Sequence, residues 1–113
     1  MPDACRCNTP PIDHRDFESR ELGIDETRGR FAEVGIERCR HCGQHWLRYR
    51  YEIEGISRSG RWYRGAIEPA QAESVTPAAA LNMLSRLAWY LYGGSYFGST
   101  GMRSDTPLEP TLC

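Results

Sequence analysis

The sequence contains no lysine, so all fourteen of its basic residues are arginines, and its fifteen acidic residues leave a formal net charge of −1. A protein that binds nucleic acid or an anionic membrane over its whole surface usually carries a net positive charge. The overall charge therefore argues against both of these classes. The exclusive use of arginine is explained most simply by a G+C-rich bacterial genome, and otherwise by selection for a planar, fork-shaped cation.

No apolar run approaches the roughly 18 residues that a transmembrane helix needs. The first residues, MPDACRCNTPP, have no basic stretch followed by an apolar run, so no secretory signal is expected. We therefore expect a cytoplasmic protein without a membrane segment. In that compartment thiols are kept reduced, and a group of cysteines indicates a metal site or catalysis before it indicates disulfide bonds.

Familiar catalytic motifs are absent as well. The sequence has no Gly-x-Ser-x-Gly, no His-Glu-x-x-His and no glycine-rich loop that ends in Lys-Ser or Lys-Thr. Asp13, His14 and Asp16 are close together, but in an irregular polar segment such residues usually lie on the surface. An enzyme would need an open pocket containing His14, His41 or His45, and we prefer a non-enzymatic protein.

Four of the five cysteines form two close pairs, Cys5 with Cys7 and Cys39 with Cys42. A Cys-x-x-Cys turn places two sulfurs on one tetrahedral zinc ion and leaves backbone N–H groups to hydrogen-bond them. Gly43 follows the second pair and can take the positive φ with which the chain leaves such a turn. We therefore predict one structural zinc ion per chain, held by these four cysteines.

Other uses of these cysteines stay open. In one alternative, His41 or His45 replaces one of the cysteine ligands. In the others, the cysteines form disulfides or stay free thiols, or the four thiolates hold an iron–sulfur cluster. With four cysteines on one zinc there is no open coordination position, so catalysis by the metal is not expected. The fifth cysteine, Cys113, is interpreted as an incidental thiol.

Three segments, 31–39, 45–55 and 61–69, are rich in aromatic and β-branched residues and are separated by turn residues. This pattern predicts an antiparallel meander of three or more strands. Residues 1–30 show no sustained period and are expected to be irregular.

A helix is predicted over residues 77–92, after Thr76 as a candidate N-cap and with Pro77 in its first turn. Leu84 and Leu91 lie on its apolar stripe and are expected to be buried. The predicted fold class is therefore α+β, with a zinc ribbon-like meander and one C-terminal helix packed on it. The cysteine knuckle between two strands carries the resemblance to a zinc ribbon. We expect one domain over 1–101, with an ordered loop at 95–101, and a flexible tail over 102–113.

Positive charge is concentrated in residues 38–64, which hold seven Arg and two Glu. The period of two along a strand places alternate residues on one face of the sheet, and a suitable register brings two strands together there. The side chains that share this face are Trp46, Arg48, Arg50, Trp62 and Arg64. Three interpretations of this face stay open: an ordinary solvated surface, a protein interface, or a binding surface for single-stranded nucleic acid.

The functional interpretation is a small zinc-binding binding or adaptor module that recognises a protein partner. The five residues just named are its candidate contacts, and a monomer or small homo-oligomer is expected. The alternative is a nucleic-acid-associated zinc ribbon protein that uses the face over 46–64.

Overall fold

The computed structural model describes residues 5–27, 31–52, 60–94, 99–106 and 108. They form one six-stranded antiparallel sheet, in which the strands lie side by side in chain order, and two helices. The strands are β1 (Phe17–Asp25), β2 (Ala32–Cys39), β3 (His45–Tyr51), β4 (Arg61–Ile67), β5 (Tyr90–Gly94) and β6 (Ser99–Ser104), and the helices are α1 (Pro69–Ser74) and α2 (Pro77–Ser85). In the described part of the chain no helix is long and apolar enough to cross a membrane. The prediction of an α+β fold with an antiparallel sheet is confirmed.

The sheet has two covered faces. The helices pack on one of them, where Leu47, Tyr49 and Tyr51 of β3 are at most 4% exposed. We call this the helix-side core; it consists of Ala32, Val34, Ile36, Leu47, Tyr49, Tyr51, Tyr63, Ile67, Ala72, Val75, Ala80, Leu81, Leu84, Tyr90 and Leu108. A smaller cysteine-side core lies on the other face and consists of Cys7, Phe17, Cys39, Trp46 and Leu91.

The prediction of one helix over 77–92 is wrong in its second half, because α2 ends at Ser85 and Tyr90 begins a strand. Strand β5 supplies a hydrogen-bonding partner for β4, with Leu91 opposite Arg64, so that β4 is not left as an unpaired edge. Leu84 and Leu91 are both fully buried as predicted. They belong to opposite faces of the sheet, however, and not to one helical stripe.

Residues 17–25, which were expected to be irregular, form strand β1. Most of its side chains are exposed, since it is an edge strand and only Phe17 and Asp25 at its ends are buried. At the other end of the chain, residues 99–104 form β6, and Leu108 is 7% exposed and belongs to the helix-side core. The described part of the segment expected to be a tail therefore includes the end of a strand and a core residue.

Gly65 in β4 lets helix α2 approach the sheet closely. A Cβ atom at this position would lie 2.7 Å from Cδ2 of Leu84 and would also collide with the side chain of Leu87. Leu84 is fully buried and cannot move aside, whereas Leu87 is partly exposed. Gly65→Ala is therefore expected to destabilise the fold by about 1–3 kcal/mol, the usual cost of overpacking. Urea denaturation measures the loss, and Leu87→Ala in the same chain should restore part of it. An unchanged stability would show that the helix is not seated as described.

Candidate metal centre

The four paired cysteines come together at the end of the sheet where β2 leads into β3. Cys39 is the last residue of β2, and Cys42 lies in the turn that leads to β3. Cys5 and Cys7 are contributed by a short 3₁₀ turn, Arg6–Asn8, and by the residue before it. Their four sulfur atoms all lie within 4.8 Å of one another, and among the described residues no other group of three or more His, Cys, Asp or Glu is gathered in this way.

The sulfur spacing fits a tetrahedral metal ion. Cys5 Sγ and Cys39 Sγ are 3.6 Å apart, and Cys7 Sγ and Cys42 Sγ are 3.5 Å apart. A tetrahedron with zinc–sulfur bonds of about 2.3 Å has sulfur–sulfur edges of about 3.8 Å, whereas a disulfide bond measures about 2.05 Å. The four thiols are free, and their arrangement can hold one metal ion.

The turn after β2 is a closed knuckle. The Gly43 N–H donates to the carbonyl of Cys39, and the Cys39 N–H donates to the carbonyl of Gln44, both at 2.9 Å. Gly43 has φ +79°, as predicted for the residue that leaves the turn. The zinc ribbon architecture itself is not confirmed. A knuckle between strands is present, but the sheet has six strands and the second cysteine pair comes from a 3₁₀ turn.

The knuckle also changes the acidity of the thiols. Burial opposes ionisation of Cys39, but the backbone N–H groups of Cys42 and His41 and the neighbouring thiols outweigh it and lower the pKa of Cys39 to about 7. Burial raises the pKa of Cys7 and of Cys42. Metals bind thiolates and not thiols, so the lowered pKa of Cys39 favours its metal-binding form at neutral pH.

A charged cluster outside the sulfurs joins the two cysteine turns. Asp16, which is 6% exposed, forms an ion pair with Arg6, and its Oδ1 lies 2.8 Å from Nε2 of His41. Arg6 separates Cys5 from Cys7, and His41 lies between Cys39 and Cys42. These two partners, His41 first and then Arg6, lower the pKa of Asp16. The carboxylate thus links both turns, and His41 is engaged there and does not belong to the sulfur cluster.

Asp16 was expected on the surface, and its role was missed because its partners lie 10 and 25 residues away in the sequence. The third histidine of interest, His45, begins β3, where it pairs with Arg38 of β2 and Ile67 of β4. Neither histidine joins the four cysteines in the gathered group. The alternative in which His41 or His45 replaces a cysteine is therefore not supported.

The five candidate partner contacts do share one sheet face, since Arg48 pairs with Arg64 and Arg50 with Trp62 across β3 and β4. Their accessibility corrects the expectation of an open binding face. Trp46 is fully buried and Arg64 is 4% exposed, because residues of the cysteine-side core cover them. Arg50 is exposed, and Arg48 and Trp62 are partly buried, so these three side chains form the accessible part of the face.

A buried carboxylate lies among the arginines at the centre of this face. Glu37, whose side chain is 2% exposed, forms ion pairs with Arg64 and with Arg48 Nη1, the latter at 3.6 Å. Ser19 Oγ also donates to Glu37 at 3.0 Å. Burial lowers the pKa of Arg64, and Glu37 opposes this change. Two guanidinium groups therefore share one buried carboxylate.

Comparisons with protein-family models, with curated proteins and with solved structures found no match to this chain.

Proposed function

We propose that this protein is a small zinc-stabilised binding module and not an enzyme. One observation carries the proposal: four free thiols, from two distant parts of the sequence, lie at the spacing of a tetrahedral zinc site. Four thiolates fill the coordination of zinc, so the ion has no position for water or substrate and serves to join the chain segments. Cytoplasmic location and recognition of a protein partner stay predictions.

The runner-up, a nucleic-acid-associated protein that uses the face over 46–64, receives less support. Single-strand binders stack bases on exposed aromatic rings beside unpaired cations. Here Trp46 is buried against Trp89, at a ring-centroid distance of 5.8 Å, and Arg50 forms an ion pair with Glu33. The ring of Trp62 is partly accessible, but with Trp46 buried the segment 46–64 offers a polynucleotide little aromatic surface for stacking.

Elemental analysis tests the proposed metal. Protein purified under reducing conditions should contain about one zinc per chain, and cobalt substituted for zinc should give the absorption of a tetrahedral thiolate site. Cys42→Ser should lose the metal, while Cys113→Ser, which removes the cysteine outside the two pairs, should keep it. Detection of iron and sulfide in place of zinc would show that the cysteines hold an iron–sulfur cluster. A folded, reduced and metal-free protein would refute the proposal.

A further inference from the structure

A cavity of about 350 Å³ lies on the same face of the sheet as the buried Glu37, away from the sulfur atoms. Its floor is formed by strands β3 and β4, and one wall by the residues that follow the first cysteine turn. We call it the arginine pocket; its lining includes Ile12, His14, Arg48, Arg50, Trp62 and Arg64. Among the described residues no carboxylate lines it, so the lining carries three guanidinium groups and no negative charge.

The charges beneath the pocket do not fully compensate these groups. Arg48 and Arg64 lie directly opposite each other on neighbouring strands, an arrangement that is unfavourable for like charges. They share the single buried carboxylate of Glu37. The remaining acidic partners, Glu21 of Arg48 and Glu33 of Arg50, are 62% and 48% exposed, where solvent weakens their attraction.

Two of the lining arginines have buried nitrogens without a hydrogen-bond partner. Nε and Nη2 of Arg64 and Nε of Arg48 are buried, and none of them makes a hydrogen bond within the described part of the chain. The guanidinium of Arg64 is held over the ring of Phe17, with its central carbon 4.5 Å from the ring centre. Buried charged donors without an acceptor are costly, and guanidinium groups fixed in this way match the oxygens of a phosphate or carboxylate.

The rest of the lining indicates what kind of ligand bears the oxyanion. The indole of Trp62 and the side chain of Ile12 give the pocket an apolar wall beside the cations. Trp62 lies directly opposite Arg50 in the sheet, so cation and ring are neighbours. A flat or apolar body attached to the oxyanion would cover this wall, whereas a free inorganic ion would leave it exposed.

We propose that the arginine pocket binds a small organic oxyanion, a phosphate or carboxylate attached to an apolar or aromatic body. The oxyanion is held by Arg48 and Arg64 and the body lies against Trp62. This inference rests on the proposed function in one respect, since it names what the binding module binds. It uses none of the four cysteines, so its failure and that of the zinc site are separately observable.

The test is a titration of zinc-loaded protein, its zinc content verified, with phenyl phosphate, benzoate and inorganic phosphate at constant ionic strength. Chloride serves as the salt control. The readouts are the indole N–H signal of Trp62 and the side-chain N–H signals of the arginines in nitrogen-15 NMR spectra. We expect saturable shifts of these signals with phenyl phosphate or benzoate, and weaker binding of inorganic phosphate. The tighter of the two organic probes identifies the oxyanion as phosphate or carboxylate.

Matched variants separate a built site from general charge attraction. Arg48→Gln and Arg64→Lys should each weaken binding about tenfold or more, because each loses charge-assisted hydrogen bonds to the oxyanion. Arg86→Gln makes the same change in net charge as Arg48→Gln at the exposed C-cap of helix α2, and should leave affinity unchanged. If Arg64→Lys does not fold, Arg48→Gln and Trp62→Leu decide the question.

Three results would overturn the proposal. The first is the absence of any shift at Trp62 or the pocket arginines with all three probes. The second is equal weakening by Arg48→Gln and Arg86→Gln, which would indicate attraction by net charge alone. The third is equal affinity for inorganic phosphate and phenyl phosphate, or unchanged affinity in Trp62→Leu, which would remove the apolar body from the proposal.

Discussion

Removal of the metal is expected to unfold this protein. In zinc-finger peptides a structural zinc ion contributes about 10–16 kcal/mol at neutral pH, whereas a whole domain is stable by only about 5–15 kcal/mol. Here the four ligands connect the 3₁₀ turn Arg6–Asn8 to the end of β2 and cover the cysteine-side core. Without the ion, the metal–sulfur bonds that hold this segment on the sheet are lost, and four crowded thiols remain.

Circular dichroism during titration with a zinc chelator measures this effect. The near-ultraviolet signal of the buried Trp46 should disappear together with the far-ultraviolet signal of the sheet, and zinc should restore both. Cys39→Ser should reproduce the loss without a chelator, since Cys39 is 1% exposed and contributes to both the knuckle and the core. Cys113→Ser is the matched control and should behave as the unaltered chain. Retention of both signals after complete removal of zinc would show that the sheet is stable by itself.

The cluster of four cysteines could be predicted from the sequence because its signal is local. Two cysteine pairs, each within four residues, require only that the chain bring two short segments together. The cluster of Arg6, Asp16 and His41 has no such local signal, since these residues come into contact only when the two cysteine turns lie side by side. Sequence periodicity likewise placed Arg48 and Arg64 on one face, but could not show that the segment after the first turn covers that face.

The limits of the helix and strand predictions have physical reasons too. Leu81, Leu84 and Leu91 fit a helical stripe, yet Tyr90, Leu91 and Tyr92 form a short apolar run that also suits a strand covered on both faces. Periodicity does not distinguish helix from strand in such a short run. Pairing with β4 decides in favour of the strand. Strand β1 was missed because an exposed edge strand need not alternate apolar and polar residues. Most of its side chains are exposed to solvent.

The second large effect is expected at Glu37, which local sequence patterns did not single out. Its side chain is 2% exposed and pairs with Arg64, whose side chain is 4% exposed, and with Arg48. Glu37→Gln keeps the shape of the side chain but leaves two guanidinium groups without a buried counter-charge. Removal of one partner from a buried ion pair usually costs about 3–5 kcal/mol, a large part of the stability of a domain.

Glu33→Gln is the matched control for this change. Glu33 lies on the same strand and face and pairs with Arg50, but its side chain is 48% exposed, and exposed pairs contribute about 0–1 kcal/mol. Urea denaturation of both zinc-loaded variants, followed by circular dichroism at neutral pH, compares the two losses directly. We expect Glu37→Gln to lower the free energy of unfolding by several times as much as Glu33→Gln. Equal, small losses would mean that Arg64 finds other compensation, and that the charge balance assigned to this face is incorrect.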